Sequence, residues 1–117
     1  MKIYISEEKF DEISKLKDFN IVTNYIDSDS VIIVPGGLSS LNAMLQGVID
    51  GKDVYVYNKN LCYASIIEQL YQLYEKGIES KSPSEYLNIE KDIDKIVEKL
   101  EEKKNGKNDY GENSKLL

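Results

Sequence analysis

The chain contains no arginine, no histidine and no tryptophan, only two prolines and a single cysteine. Each absence removes a class of chemistry. Without histidine there is no Ser-His or Cys-His nucleophilic pair, no imidazole metal ligand and no base that titrates near neutrality. Without arginine there is no bidentate phosphate clamp, so an anion must rely on backbone N–H groups, hydroxyls and lysine. One cysteine, Cys62, excludes an internal disulfide and fits a reducing compartment; with no histidine to lower its pKa, it is expected to be inert. No apolar run of about 18 residues occurs and residues 1–20 are charged, so neither a membrane span nor a signal peptide is expected, and the location expected is the cytoplasm. A formal charge of -6, with no basic stripe interleaved with aromatics, argues against DNA or RNA as a partner.

What is present is one domain's worth of alternating strand and helix signals in 117 residues. Residues 2–5 form a short strand candidate. Ser6 then stands as a possible N-cap before Phe10, Ile13 and Leu16, which read as a helix. Residues 19–25 carry a second strand, and Asp27 and Asp29 lie in an Asp-Ser-Asp-Ser turn. The run 31–34 has no polar alternation, as expected of a central strand covered on both faces. Leu41, Met44, Leu45, Val48 and Ile49 make one helical face that stops at Gly51. Residues 53–57 are a further strand, and Ile66, Ile67, Leu70, Leu73 and Tyr74 repeat at helical spacing up to Gly77. A short edge strand at 86–89 and a helix ending near Leu100 complete the pattern. The expectation is an α/β fold: a small Rossmann-like, three-layer domain over residues 1–104 with a mainly parallel sheet of about four to five strands. Residues 105–117, rich in Glu, Lys, Asn and Gly, are expected to be a disordered charged tail.

Residues 35–43, Pro-Gly-Gly-Leu-Ser-Ser-Leu-Asn-Ala, join the central strand to a helix. Paired glycines admit close approach of an anion, and the helix start offers free N–H groups and a partial positive charge. One reading makes Gly36, Gly37, Leu38, Ser39 and Ser40 a phosphate cradle. The other makes them an ordinary tight connection. Thr23 and Asn24 end the preceding strand and either reach the same crevice or merely close that strand. Asn42 is adjacent on the helix, and Lys59, in an Asn-Lys-Asn turn after the next strand, is the best placed cation. Tyr55, Tyr57, Tyr63, Tyr71 and Tyr74 read as core or subunit interface before base-stacking residues. No metal site and no cofactor are expected.

An apolar strand entering Pro-Gly-Gly, then a helix, a strand and a Tyr-rich helix ending in Glu-Lys-Gly, resembles the LONELY GUY (LOG) and lysine decarboxylase-like proteins of the SLOG superfamily. The likeness spans residues 30–101. It implies a Rossmann-like fold, and for the enzymes of the family cleavage of the base from a nucleoside monophosphate. Against the family motif Pro-Gly-Gly-x-Gly-Thr-x-x-Glu, Pro35, Gly36 and Gly37 match, Ser39 replaces Gly, Ser40 replaces Thr, and Ala43 replaces the catalytic Glu. The family's catalytic arginine has no counterpart, nor does its glycine-rich first βα unit among residues 1–30. The resemblance thus implies phosphate binding without turnover, with no catalytic residue, a small nucleotide-like ligand such as an ADP-ribose-like or cyclic nucleotide signal, and a homodimer or larger assembly through helices 41–50 and 63–76. A retained phosphoribohydrolase activity using Asp27, Asp29 or Glu68 is the enzymatic alternative, and a purely structural or interaction role is the third.

Overall fold

The computed structural model describes residues 1–109, so the expectation for 110–117 falls outside the described residues. Five strands form one sheet: β1 (Lys2–Ile5), β2 (Asn20–Val22), β3 (Ser30–Ile33), β4 (Asp53–Tyr57) and β5 (Leu87–Glu90). Every pairing is parallel and the spatial order is β2-β1-β3-β4-β5. Three helices complete it: α1 (Leu38–Ile49), α2 (Ala64–Glu75) and α3 (Ile93–Asp109).

The strands alternate their side chains between two cores, as a period of two requires. Ile3, Ile5, Ile32, Val34, Tyr55 and Tyr57 point to one face, where Ile93, Ile96 and Leu100 of α3 cover them with Leu16. Val31, Ile33, Val54 and Val56 point to the other, beneath Ala43 and Met44 of α1, with Tyr63 just before α2. All four residues of β3 are buried, the mark of a central strand in a doubly covered sheet. Gly47 sets the depth of α1 on that sheet: a Cβ there would lie 2.8 Å from Val54 Cγ2. Gly51 and Gly77, at φ 74° and 75°, end α1 and α2 in the left-handed conformation that glycine adopts without strain.

Three expectations need correction. Residues 6–16 do not form an α-helix. Phe10, Ile13 and Leu16 are spaced by three, which suits the tighter 3₁₀ repeat. Bonds from Ile13 N–H to Phe10 O, Lys15 N–H to Glu12 O and Lys17 N–H to Ser14 O build a short 3₁₀ turn over Ile13–Leu16. Ser6 is not a helix cap, because its hydroxyl is used by the N–H of Val34, just past the end of β3. The second strand is only Asn20–Val22: the Asn24 side chain accepts from Ile26 N–H and folds the chain into a 3₁₀ turn at Tyr25–Asp27. The last helix begins later and runs further than expected, so residues 105–109 are helical rather than disordered. Buried Leu100 and ion pairs of Lys99 with Glu90 and Lys103 with Asp53 fasten its polar half to the sheet.

Candidate functional site

The order 2-1-3-4-5 reverses its winding direction between β1 and β3, and in open parallel sheets the crevice beyond the strand carboxyl ends at such a switch is the ligand site. Residues 35–40 leave β3 at that crevice, and residues 6–12 leave β1 beside them.

Val34, fully buried, is the anchor of the turn. Its N–H donates to Ser6 Oγ at 2.9 Å, and its carbonyl accepts from the Tyr63 hydroxyl at 2.5 Å. Tyr63 is itself held by a bond from its N–H to Asn58 Oδ1 at 2.7 Å. Burial pushes the Tyr63 phenol up, against the opposing effect of the nearby Ser40 side chain and Gly36 backbone. The turn is therefore clamped from both flanking elements before it reaches the glycines.

Gly37 occupies the N-cap of α1 and has no side chain to bond the first-turn N–H groups. The Ser40 hydroxyl, fully buried, donates to Ser6 Oγ at 3.1 Å and approaches Glu7 Oε2 at 3.2 Å. Ser39 Oγ donates to the same Glu7 oxygen at 3.1 Å. Both hydroxyls of the expected cradle thus converge on one carboxylate oxygen, contributed by the loop after β1. Gly36 makes room for it: a Cβ there would collide with Ser40 Oγ and stand 2.6 Å from Glu7 Oε2. At Gly37 a Cβ would meet nothing within 4 Å.

Three clefts surround the turn. One of about 250 Å³ places Thr23 with Ser6 and Glu7. Another of about 260 Å³ contains Ser39, Asn42, Ala43 and the edge-to-face pair Tyr4–Tyr25. The largest of the three, about 390 Å³, reaches from Pro35 across Phe10 to Lys59 and Cys62. Gly36, Gly37, Ser39 and Ser40 are therefore brought together, with Thr23 on one flank and Asn42 on the other. Leu38, 84% exposed, stands in solvent at the helix start.

Two expected members are otherwise engaged. Asn24 is committed to its own turn. Lys59 faces the largest of these clefts, but its ammonium is bound by Glu12 at 2.9 Å and Asp11 at 3.5 Å. The Lys59 hydrogen bond holds the Glu12 carboxyl below its ordinary range, and Glu12 also accepts from Tyr57 OH at 2.8 Å. Tyr55, Tyr57 and Tyr63 are buried, as core residues, whereas Tyr74 is 42% exposed. Cys62 is exposed at the surface, and partial desolvation of its thiol by neighbouring atoms pushes the pKa up, away from the reactive thiolate.

Asp29, which accepts from Lys2 N–H, sits at the amino-terminal edge of the sheet, and Glu68 lines a cleft between α2 and Ile89. Neither reaches the cradle hydroxyls. Glu7 does, and sequence reasoning missed it because a carboxylate beside an expected anion site runs against charge logic. The spacing of Tyr63 reads as core or subunit interface, and nothing in it points to Val34. Comparison of the chain with protein-family models, with curated proteins and with solved structures returned no match.

Proposed function

We propose that this domain binds a phosphate-bearing, nucleotide-like small molecule at the β1/β3 crevice without turning it over, as a LOG-like or SLOG-type sensing or sequestering module. The observation that supports the reading most is the convergence of Ser39 Oγ and Ser40 Oγ on a single carboxylate oxygen at the start of α1. Donors so arranged suit an anionic oxygen, and the helix start adds N–H groups and favourable potential. The neighbouring cleft of about 390 Å³ is of the size a nucleoside occupies. Position 43 argues against catalysis in the family manner, because Ala43 is 8% exposed and packs with Met44.

Glu7 favours one alternative. A carboxylate beside the cradle is the group that glycosidic cleavage requires, so a nucleoside-monophosphate hydrolase using Glu7 is the second reading. Assembly is part of the proposal as well: Leu45 and Ile49 of α1 are exposed and α2 buries no residue fully, leaving apolar surface for a second copy.

A thermal-shift screen with nucleoside monophosphates, ADP, ADP-ribose and cyclic nucleotides tests binding. The expected result is a raised melting temperature with at least one of them and loss of that shift in Gly37→Val, which has space to fold but crowds the approach of a phosphate. No shift with any compound would end the binding reading. Release of free base from a monophosphate would replace it with the hydrolase.

A further inference from the structure

Residues 6–12 cross the carboxyl ends of the sheet without regular structure and carry four carboxylates: Glu7, Glu8, Asp11 and Glu12. They are not distributed idly. Glu7 takes the hydroxyls of Ser39 and Ser40, while Glu12 and Asp11 take the ammonium of Lys59. Between these two latches the Phe10 side chain is packed against the core that holds Ile5, Val34 and Tyr57. The Ser39 hydroxyl and the Lys59 ammonium are thus bound to carboxylates of one short loop, and the Ser40 hydroxyl, which donates to Ser6, lies within 3.2 Å of one of them.

We infer that residues 6–12 form an acidic strap that occupies the site as an internal anion, so that a ligand's phosphate must displace Glu7, and Glu12 where it reaches Lys59, in order to bind. The inference rests on the phosphate reading of the cradle and adds its regulation. It accounts for Gly36 as a residue that leaves space for the Glu7 side chain rather than for the ligand alone. It also accounts for a lysine in the site that is not free to meet an anion. A strap that is closed in a fraction of molecules lowers apparent affinity by that fraction, and removing its latch restores it.

Glu7 and its neighbour Glu8 make a matched experiment, because Glu7→Gln and Glu8→Gln remove the same charge one residue apart and only the first removes a latch. Isothermal titration of inorganic pyrophosphate into wild type, Glu7→Gln, Glu12→Gln and Glu8→Gln is the measurement, with circular dichroism melts confirming that each variant is folded. The expected outcome is a dissociation constant about tenfold lower for Glu7→Gln, with Glu8→Gln within about twofold of wild type. A smaller gain is expected for Glu12→Gln. Limited trypsinolysis reads the strap directly, since Lys9 is exposed within it. Cleavage after Lys9 is expected to quicken in Glu7→Gln and on addition of pyrophosphate to wild type. Equal gains in Glu7→Gln and Glu8→Gln would overturn the strap in favour of a general charge effect. Unchanged or weaker binding by Glu7→Gln would overturn it as well, while leaving the phosphate reading in place. Absence of pyrophosphate binding by all four proteins would remove the phosphate reading and the strap's role together.

Discussion

Replacing Ser6 by alanine removes the acceptor of a fully buried backbone N–H, that of Val34, and the acceptor is 2.9 Å away with Ser6 itself only 8% exposed. The cost follows from what is stranded. A hydrogen bond between satisfied neutral partners contributes about 1 kcal/mol net, but an orphaned buried donor costs about 1–3 kcal/mol. The Ser40 hydroxyl also loses its bond to Ser6, yet it keeps Glu7 as acceptor, so no second orphan arises. Loss of one oxygen leaves less empty space than loss of a methyl group, and the cavity contribution is small. The expected destabilisation is therefore about 1–3 kcal/mol. Urea unfolding followed by far-ultraviolet circular dichroism is the assay. With a slope of about 1–3 kcal/mol/M, the midpoint falls by about 1 M while the slope stays constant. Ser39→Ala is the control: that hydroxyl is exposed and bonds only Glu7 in the cradle, so a change within about 0.5 kcal/mol is expected. A Ser6→Ala variant as stable as this control would refute the view that Ser6 holds the turn, because Val34 N–H would then have another partner.

Gly36→Ala is expected to cost about 1–3 kcal/mol, since its Cβ meets Ser40 Oγ and Glu7, whereas Gly37→Ala is expected to be neutral because no atom lies within 4 Å; comparing the two urea midpoints decides it. Ser30 is fully buried and its hydroxyl has no partner among the described residues, so Ser30→Ala is expected to raise stability by about 1 kcal/mol, and a lower melting temperature would count against this. Burial, with the Glu12 bond, pushes the Tyr57 phenol up to about 12. A raised acid pKa contributes stability that is whole below the ordinary tyrosine value of about 10 and is lost as pH rises toward 12; ultraviolet titration is expected to show several late tyrosines, because burial also raises Tyr25, Tyr55, Tyr63 and Tyr86, and Tyr57→Phe is expected to remove one of them. Glu12 has the opposite sign: Lys59 lowers its pKa, so its contribution is whole above the ordinary carboxylate value and is lost as pH falls through the depressed one. Glu12→Gln is expected to flatten the acid limb of the stability profile.

The parallel sheet was legible in the sequence because hydrophobic runs such as 31–34 and 53–57 carry their own signature, and the glycines at 51 and 77 punctuate the helices where chain reversal demands them. The first crossover was not legible. Phe10, Ile13 and Leu16 satisfy a helical template by spacing alone, and only the tertiary commitments of Ser6, Glu7 and Glu12 draw residues 6–12 out of it. The end of the last helix was missed for the related reason that the ion pair of Lys103 with Asp53 joins residues far apart in sequence. Composition and order placed residues 35–40 at the junction of β3 and α1, where the structure has them. The partner of their hydroxyls comes from a different strand end, and no local pattern announces it.

That partner also limits how much the site can gain from losing it. A carboxylate tethered by a short loop acts at an effective concentration of the order of millimolar, which attenuates a ligand only as far as the tethered group's own affinity is comparable to that concentration. Glu7 offers one oxygen to two hydroxyls, both at the long end of hydrogen-bond range. A phosphate brings three oxygens and up to two charges to the same donors and to the N–H groups at the start of α1. The tethered anion is thus the weaker ligand held at the higher concentration, and this favours a moderate, reversible attenuation near tenfold over a permanent block. Were the gain in Glu7→Gln a thousandfold instead, Glu7 would be opposing the ligand by direct charge repulsion within a shared site, and the strap would have to remain closed beside the bound phosphate rather than be displaced by it.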